Sequence, residues 1–185
     1  MNRSTGLITE SFKRLFLMVP EKLKLFKEKL PKYKIKATGE IIAFDWLEKV
    51  VAIYQERLKK LSEISELAGF FLRDNLEYET ELLKWQNMTD REVIGSLERV
   101  EEIIKFISEN DWTQDNLEKS LIAKAEKDMQ QRKVGSKGEL LWPLRVALTG
   151  KKASAGPFEV AAILGREKTL KRIKEAMENC RKQHF

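Results

Sequence analysis

The sequence predicts an all-α protein. Apolar residues recur at spacings of three and four in several segments, which is the period of a helix with one buried face. Only nine glycines and four prolines interrupt the 185 residues, and no alternation of polar and apolar residues is long enough to indicate a sheet. An apolar fraction of 42% with 35% charged residues is typical of a soluble globular chain of one large or two small domains.

The N-terminal part is predicted to be a basic helical segment. Apolar residues follow helical spacing from Ser11 to Leu30, and Pro20 should bend or break this helix because proline lacks the backbone donor. Residues 1–40 are treated as a separate segment without an assigned place in the fold.

Residues 41–88 are predicted to form a helix-bundle subdomain. One helix is expected from about Ile41 to Leu58 and another from Ser62 to about Phe71. The adjacent aromatic residues Phe70 and Phe71 should supply apolar surface to its core.

Residues 89–185 are predicted to form a second subdomain, a cage of shorter helices. Thr89 and Glu92 have the spacing of a capping box, and Asp111-Trp112-Thr113 should open the following helix. Between Gly135 and Gly138 a flexible link is expected, after which the composition becomes basic.

The end of the chain is predicted to contain three short helices joined by two tight corners. Pro143 suits the first turn of a helix that Gly150 ends, and Pro157 suits the first turn of the next, which Gly165 ends. The corner from 151 to 156 joins these two helices, and free amides at the second helix start could contact phosphates or base edges. A final helix from 166 is expected to expose four basic residues: Lys168, Lys171, Arg172 and Lys174.

Charge is distributed unevenly along the chain. Lys and Arg outnumber Asp and Glu by 10 to 3 in residues 1–36 and by 13 to 5 in residues 132–185, whereas residues 37–131 hold 12 against 21. A basic tail beside an acidic middle is typical of a surface that faces a polyanion, although solvated basic helix faces give the same counts.

The sequence offers little catalytic chemistry. It has no glycine-rich phosphate loop, no cluster of metal ligands and no nucleophile paired with a base. The single cysteine, Cys180, excludes a disulfide framework, and the single histidine is the penultimate residue. We therefore expect no catalytic residue, no metal and no cofactor in this chain, and a cytoplasmic location without a membrane span.

Recognition chemistry is better represented. Arg145 lies in an otherwise apolar helix, where its guanidinium could pair with a core carboxylate or bind a base edge or phosphate. Phe158, beside the corner, could be a core residue or a stacking surface for an unstacked base.

Several segments together resemble a known family. They are Glu56-Arg57 with Leu61 and Glu63, Gly69-Phe70-Phe71, Asp111-Trp112-Thr113, Pro143-Leu144-Arg145 with Ala147-Leu148-Thr149-Gly150, and Ser154 to Phe158. In this order they resemble the C-terminal anticodon-binding region of glutamyl-tRNA synthetases, over about two-thirds of the chain.

The resemblance implies a two-lobed helical domain that grips the anticodon loop of glutamate tRNA. It matches Arg57 to the arginine at the third anticodon base, which helps to exclude glutamine tRNA, and Arg145 to the arginine that reads the middle base. Four corner residues match positions that contact the first and middle bases: Ser154, Gly156, Pro157 and Phe158. Ala155 departs from the proline that the family often has, which should loosen the corner.

The resemblance also implies partners and a larger enzyme. A basic surface for phosphates is expected from Lys151, Lys152, Lys168, Lys171 and Arg172. A separate catalytic domain would attach glutamate to the tRNA with ATP, whereas this chain, expected to be a monomer, would not catalyse alone. Two alternatives stay open: a helical protein-interaction scaffold without nucleic-acid binding, and membrane-surface attachment through the basic amphipathic segment 12–30.

Overall fold

The computed structural model describes residues 32–34, 41–55, 64–131 and 135–182. The chain divides into two compact units, residues 1–74 and residues 75–185. Within the described ranges the structure consists of seven α-helices, short 3-10 turns and one two-stranded ribbon, so the predicted all-α class is confirmed. The helix predicted from Ser11 to Leu30 lies outside these ranges.

The described part of the first unit includes a short antiparallel ribbon. Strands β1 (Lys32–Lys34) and β2 (Ile41–Ala43) pair so that Tyr33 lies opposite Ile42. Helix α1 (Phe44–Gln55) follows β2 directly. The prediction that this helix begins near Ile41 was wrong by one short strand, because two consecutive β-branched isoleucines favour extended backbone.

Helix α2 (Ile64–Ala68) and a 3-10 turn (Gly69–Leu72) complete the described part of the first unit. Phe70 and Phe71 are buried and stack with their ring centroids 4.4 Å apart, and Trp46 of α1 meets Phe71 edge-on at 5.9 Å. This geometry is favourable for aromatic pairs. The prediction that both phenylalanines belong to the core is confirmed.

In residues 75–131 and 135–182 the second unit contains five helices and two 3-10 turns. The helices are α3 (Asp90–Ile104), α4 (Gln114–Gln130), α5 (Gly138–Thr149), α6 (Pro157–Leu164) and α7 (Arg166–Lys182), and the turns are Thr80–Leu83 and Glu109–Asp111. Helices α3, α5 and α7 pack against one another, and α4 packs on α6. The turn Thr80–Leu83 packs on α5 and α7.

Residues 75–88, which the sequence places in the first subdomain, therefore belong to the compact unit of α3 to α7. Leu83 of this segment is fully buried. The boundary between the compact units lies between Asp74 and Asn75. The predicted boundary between residues 88 and 89 separates functional subdomains, and it stays a prediction.

Local capping signals were sound predictors of helix starts. The Glu92 amide donates to the Thr89 hydroxyl at 3.3 Å, and the Thr89 amide donates to the Glu92 carboxylate at 2.7 Å, which is the predicted capping box. Thr113 caps α4 by accepting from the Asn116 amide at 3.3 Å. No helix in the described ranges is long and apolar enough to cross a membrane.

Helix α5 begins earlier than predicted. It starts at Gly138, so Pro143 lies inside the helix and not in its first turn. An internal proline leaves the carbonyl four residues earlier, that of Glu139, without its amide donor. The Ser96 hydroxyl of α3 donates to this carbonyl at 2.7 Å, so a residue of another helix replaces the missing donor.

The predicted helix ends are confirmed. Gly150 ends α5 in the left-handed conformation, with φ +66°, and its amide donates to Val146 at 2.7 Å. Gly165, with φ +80°, separates α6 from α7. Pro157 occupies the first turn of α6, where its missing amide costs nothing.

Candidate nucleic-acid interface

The candidate site is centred on Arg145, in the penultimate turn of α5. Its side chain is partly exposed, and its Nη1 donates to the Ser154 carbonyl oxygen at 3.3 Å. Its own carbonyl oxygen accepts from the Thr149 hydroxyl at 2.7 Å. The backbone and the side chain of Arg145 are therefore both held, one within the helix and one across the corner that follows it.

Thr149, the last residue of α5, makes a second hydrogen bond where the corner begins. Its hydroxyl oxygen accepts from the Lys151 amide at 3.2 Å while its proton goes to Arg145. Thr149 is 2% exposed, so this hydrogen bonding takes place away from solvent. The residue links the last turn of the helix to the first residues of the corner.

The far end of the corner is closed by the start of α6. The Gly156 amide donates to the Glu159 carboxylate at 2.7 Å, and Pro157 has no amide to offer. The expectation of free amides at this helix start was therefore wrong for Gly156, the residue before the helix, and for Pro157, its first residue. Because Glu159 also brings a negative charge to the position, α6 offers a poorer phosphate site here than the sequence suggested.

Ala155 and Phe158 flank this helix start. Ala155 is fully buried, and the Ser154 hydroxyl donates to its carbonyl at 2.8 Å. The small side chain is thus packed inside the corner. Phe158 is partly exposed, which agrees with a ring that is covered by protein on one side and accessible on the other.

The basic residues differ in how open they are. Lys152 is exposed, and Lys151 and Lys168 are partly exposed. Lys171 is exposed and its Nζ lies 3.6 Å from the Glu175 carboxylate. Lys174, also exposed, is 3.9 Å from Glu101. The pair between Lys171 and Glu175 is at the surface, where ion pairs contribute little, whereas Glu101 is buried.

The prediction that Arg172 is exposed was wrong. Its side chain is 1% exposed, and its Nη1 donates to the carbonyl oxygen of Leu148 in the last turn of α5. The final carbonyls of a helix lack amide partners within it, which explains why a cation is drawn inward at this point. Arg172 is not part of the exposed basic surface.

A groove of about 780 Å³ borders the corner and shares Gly150 and Lys152 with it. The other lining residues are Glu77, Tyr78, Glu79, Glu81, Leu82, Lys84, Trp85, Gln86 and Trp142. Trp85 and Trp142 contact each other with centroids 5.2 Å apart, and the Trp142 indole donates to the Leu82 carbonyl at 2.9 Å.

The two tryptophans and Thr149 were not among the predicted site residues. For Trp142 a signal existed, since it precedes Arg145 by three residues and therefore lies on an adjoining face of the same helix. For Trp85, which comes from the loop before α3, no local signal pointed to the site.

Tyr78 also borders the corner. A Cβ built at Gly150 would lie 3.2 Å from its ring, and burial, followed by the nearby Cys180 and Glu175, raises the pKa of its hydroxyl well above the usual range. The phenol is thus neutral at physiological pH and acts as a packing residue. No cluster of three or more potential metal ligands occurs in the described part of the chain.

The residue matched to the third anticodon base, Arg57, lies outside the described residues. It falls in the gap between residues 55 and 64 of the described chain. Its predicted role stays a prediction.

Comparison with known proteins identifies the class to which this helical domain belongs. The family described as "Anticodon binding domain" matches residues 18–177. Glutamate–tRNA ligase of Clostridium kluyveri is 35% identical over 149 residues, which is 80% of this chain and 28% of that protein. The Clostridium tetani glutamate–tRNA ligase is 34% identical over 181 residues, or 92% of this chain and 34% of that protein.

Solved structures support the same fold. A glutamate tRNA ligase from Elizabethkingia meningosepticum superposes with a TM-score of 0.63 at 18% identity, covering 95% of this chain and 31% of that one. The chain therefore belongs to the anticodon-binding domain family, and its sequence relatives are glutamate–tRNA ligases. It spans about a third or less of their length. These relationships do not favour the alternative of a protein-interaction scaffold.

Proposed function

We propose that this chain recognises the anticodon loop of glutamate tRNA as the anticodon-binding part of a glutamate–tRNA ligase. The observation that carries the proposal is the hydrogen bond between Arg145 and the Ser154 carbonyl. It holds a partly exposed guanidinium at a fixed position above a corner between two helices, in a chain whose family binds anticodons.

Arg145 suits base recognition because a guanidinium is planar and carries several N–H donors, of which Ser154 uses one. The remaining donors fit the edge of an unstacked base. Holding the side chain in advance lowers the entropy lost on binding. We assign Arg145 to the middle base of the anticodon, following the resemblance of its sequence context.

The corner residues complete this part of the proposal. Ser154, Gly156, Pro157 and Phe158 contact the first and middle bases, with Phe158 as the stacking surface. The tryptophan pair in the adjoining groove offers further aromatic area next to Lys152. Splayed bases of single-stranded loops are commonly bound on such aromatic side chains.

The basic surface supplies the part of the affinity that is independent of sequence. Lys151, Lys152, Lys168 and Lys171 are at least partly exposed and would contact phosphates. Each such contact releases counterions from the RNA, so binding weakens as salt rises.

Arg57 is assigned to the third base and to rejection of glutamine tRNA. Replacing it by glutamine is expected to lower discrimination against a glutamine-tRNA loop and to leave binding of the glutamate loop nearly unchanged. Unaltered discrimination between the two loops would remove Arg57 from the site.

The rest of the proposal concerns the larger enzyme. A catalytic domain elsewhere in the protein would attach glutamate to the tRNA in an ATP-dependent reaction, and this region would select the tRNA. We propose a cytoplasmic, monomeric ligase. No catalytic role is assigned to residues of this chain.

The proposal is tested by fluorescence anisotropy with five stem-loops at two salt concentrations. They are the glutamate-tRNA anticodon stem-loop, its three single-base anticodon variants and an unrelated stem-loop. We expect a preference for the glutamate loop that persists at the higher salt, because base contacts are less salt-dependent than phosphate contacts. Equal affinity for all five would leave only a basic surface and contradict anticodon recognition.

A further inference from the structure

We infer that Arg172 is a positioning residue for anticodon reading, acting through the end of α5 on Arg145; this inference rests on the proposed function. Arg172 lies on α7 and is the largest of the fully buried side chains in the described chain. Its Nη1 donates to the carbonyl oxygen of Leu148, in the last turn of α5.

A buried guanidinium is costly unless its donors are used. Even a buried ion pair can often be replaced by apolar side chains of similar size without loss of stability, so burial of a charge is by itself weak evidence for a stabilising role. Its hydrogen bond is directional, however, and ends on the last turn of the helix that carries Arg145. The arrangement fixes where α5 ends relative to α7.

Three consecutive residues transmit that position to the site. Leu148 is held by Arg172, Thr149 bonds both Arg145 and Lys151, and Gly150 turns the chain in the left-handed conformation. Across the corner, the Arg145 side chain reaches Ser154. These hydrogen bonds, together with the peptide bond between Leu148 and Thr149, therefore connect the buried arginine to the backbone of the one that we assign to the middle base.

This path should affect the choice between anticodon bases more than the overall affinity for RNA. A bidentate contact to a base requires the guanidinium within about 0.5 Å of its productive position, whereas contacts of lysines to phosphates tolerate larger displacements. Loss of the Arg172 anchor should therefore weaken the choice between middle bases and leave salt-sensitive binding of RNA in place.

The test compares Arg172→Met, Arg172→Lys and the control Arg181→Met in the 185-residue chain. Arg181 lies on the same helix but is exposed, where it pairs with Glu98 at 3.2 Å. The readout is the dissociation constant for the middle-base variant divided by that for the glutamate loop, with circular dichroism and thermal unfolding measured beside it. Partial unfolding lowers the affinity for both loops equally and leaves this ratio unchanged.

For Arg172→Met we expect the ratio to fall by at least ~5-fold, within the range that one bidentate base contact supplies. Arg172→Lys should restore part of it, since an ammonium can still donate to the Leu148 carbonyl, and Arg181→Met should leave it unchanged. If Arg172→Met folds and discriminates as the unmodified chain does, the inference is overturned while the proposed function stands.

A second variant decides the matter if Arg172→Met does not fold. Thr149→Val keeps Arg172 and the shape of the side chain but removes the hydroxyl between Arg145 and Lys151. A fall in the ratio for Thr149→Val supports the path, and an unchanged ratio overturns it. Absence of discrimination in the unmodified chain would instead contradict the proposed function itself.

Discussion

The Ser96 hydroxyl donates a hydrogen bond of 2.7 Å to the Glu139 carbonyl oxygen, four residues before Pro143. Proline has no amide with which to satisfy that carbonyl. Ser96 is fully buried on α3, so the donor comes from the helix against which α5 packs. The contact allows α5 to continue through Pro143 to Arg145, and it clamps the helix shortly before the residue that we assign to the anticodon.

Replacing Ser96 by alanine should destabilise the second unit. The part-buried carbonyl of Glu139 would then lack this donor, and loss of the hydrogen bond costs about 0.5–1.5 kcal/mol of the free energy of unfolding. Urea denaturation followed by circular dichroism measures this change. An unaltered midpoint would show that the hydroxyl contributes nothing to stability.

A double mutant identifies the cause. Pro143→Ala supplies the missing amide, so Ser96→Ala should cost at least ~0.5 kcal/mol less in that background than in the unmodified chain. Equal costs in both backgrounds would mean that Ser96 acts by packing and that the proline is irrelevant to it.

Gly150→Ala should destabilise the protein and disorder the corner. The left-handed conformation costs a residue with a side chain about 1–2 kcal/mol, and the new Cβ would lie 3.2 Å from the Tyr78 ring. Gly95→Ala is the control, because Gly95 is inside α3 and its Cβ would meet only the end of Arg99 at 3.6 Å. That change should be neutral or stabilising by up to ~1 kcal/mol. Thermal unfolding distinguishes the two variants.

The capping box at α3 predicts a pH dependence. Hydrogen bonds from the Thr89 amide and hydroxyl lower the pKa of Glu92 in the folded protein. A lowered pKa means that the contribution is complete above the unfolded value of about 4.3 and is lost as pH falls through the folded value. The melting temperature of Glu92→Gln should therefore be below that of the unmodified chain at pH 7, and the difference should shrink in acid. A difference that is the same at pH 7 and pH 3 would contradict this assignment.

Cys180 should be unreactive in the folded protein. It is fully buried, and burial, with a smaller effect of the carboxylate of Asp90, raises the pKa of its thiol to about 11. The thiolate fraction at neutral pH is therefore very small. We expect a thiol reagent to modify the native chain at least ~10-fold more slowly than the chain in denaturant. Equal rates would show that α7 opens readily near its C-terminal end.

The features predicted well from the sequence depend on local chemistry. Two helices begin at threonines whose side chains cap them, Thr89 and Thr113. Two helices end at glycines with positive φ, Gly150 and Gly165. These effects involve neighbours within about four residues, so the sequence pattern contains nearly all of the required information.

The features that were missed depend on distant contacts. Pro143 was expected at a helix start because the sequence around it shows no donor for the Glu139 carbonyl. That donor is the hydroxyl of Ser96, which is 43 residues away along the chain. Arg172 was expected on the surface because Leu148, which accepts its hydrogen bond, is 24 residues earlier. Helical periodicity cannot show which polar residue meets an unsatisfied carbonyl of another helix. Of the candidate site, the position of Arg145 beside Ser154 follows from the short corner, whereas the tryptophan groove does not.

The central claim is most directly tested by a double-mutant cycle between Arg145 and the middle base of the anticodon. Dissociation constants are measured for the unmodified chain and for Arg145→Met, each with the glutamate stem-loop and with its middle-base variant. If Arg145 reads that base, each change alone costs about 1–3 kcal/mol, and the two together cost little more than one. Additive costs, with Arg145→Met weakening both loops equally, would contradict base reading by Arg145.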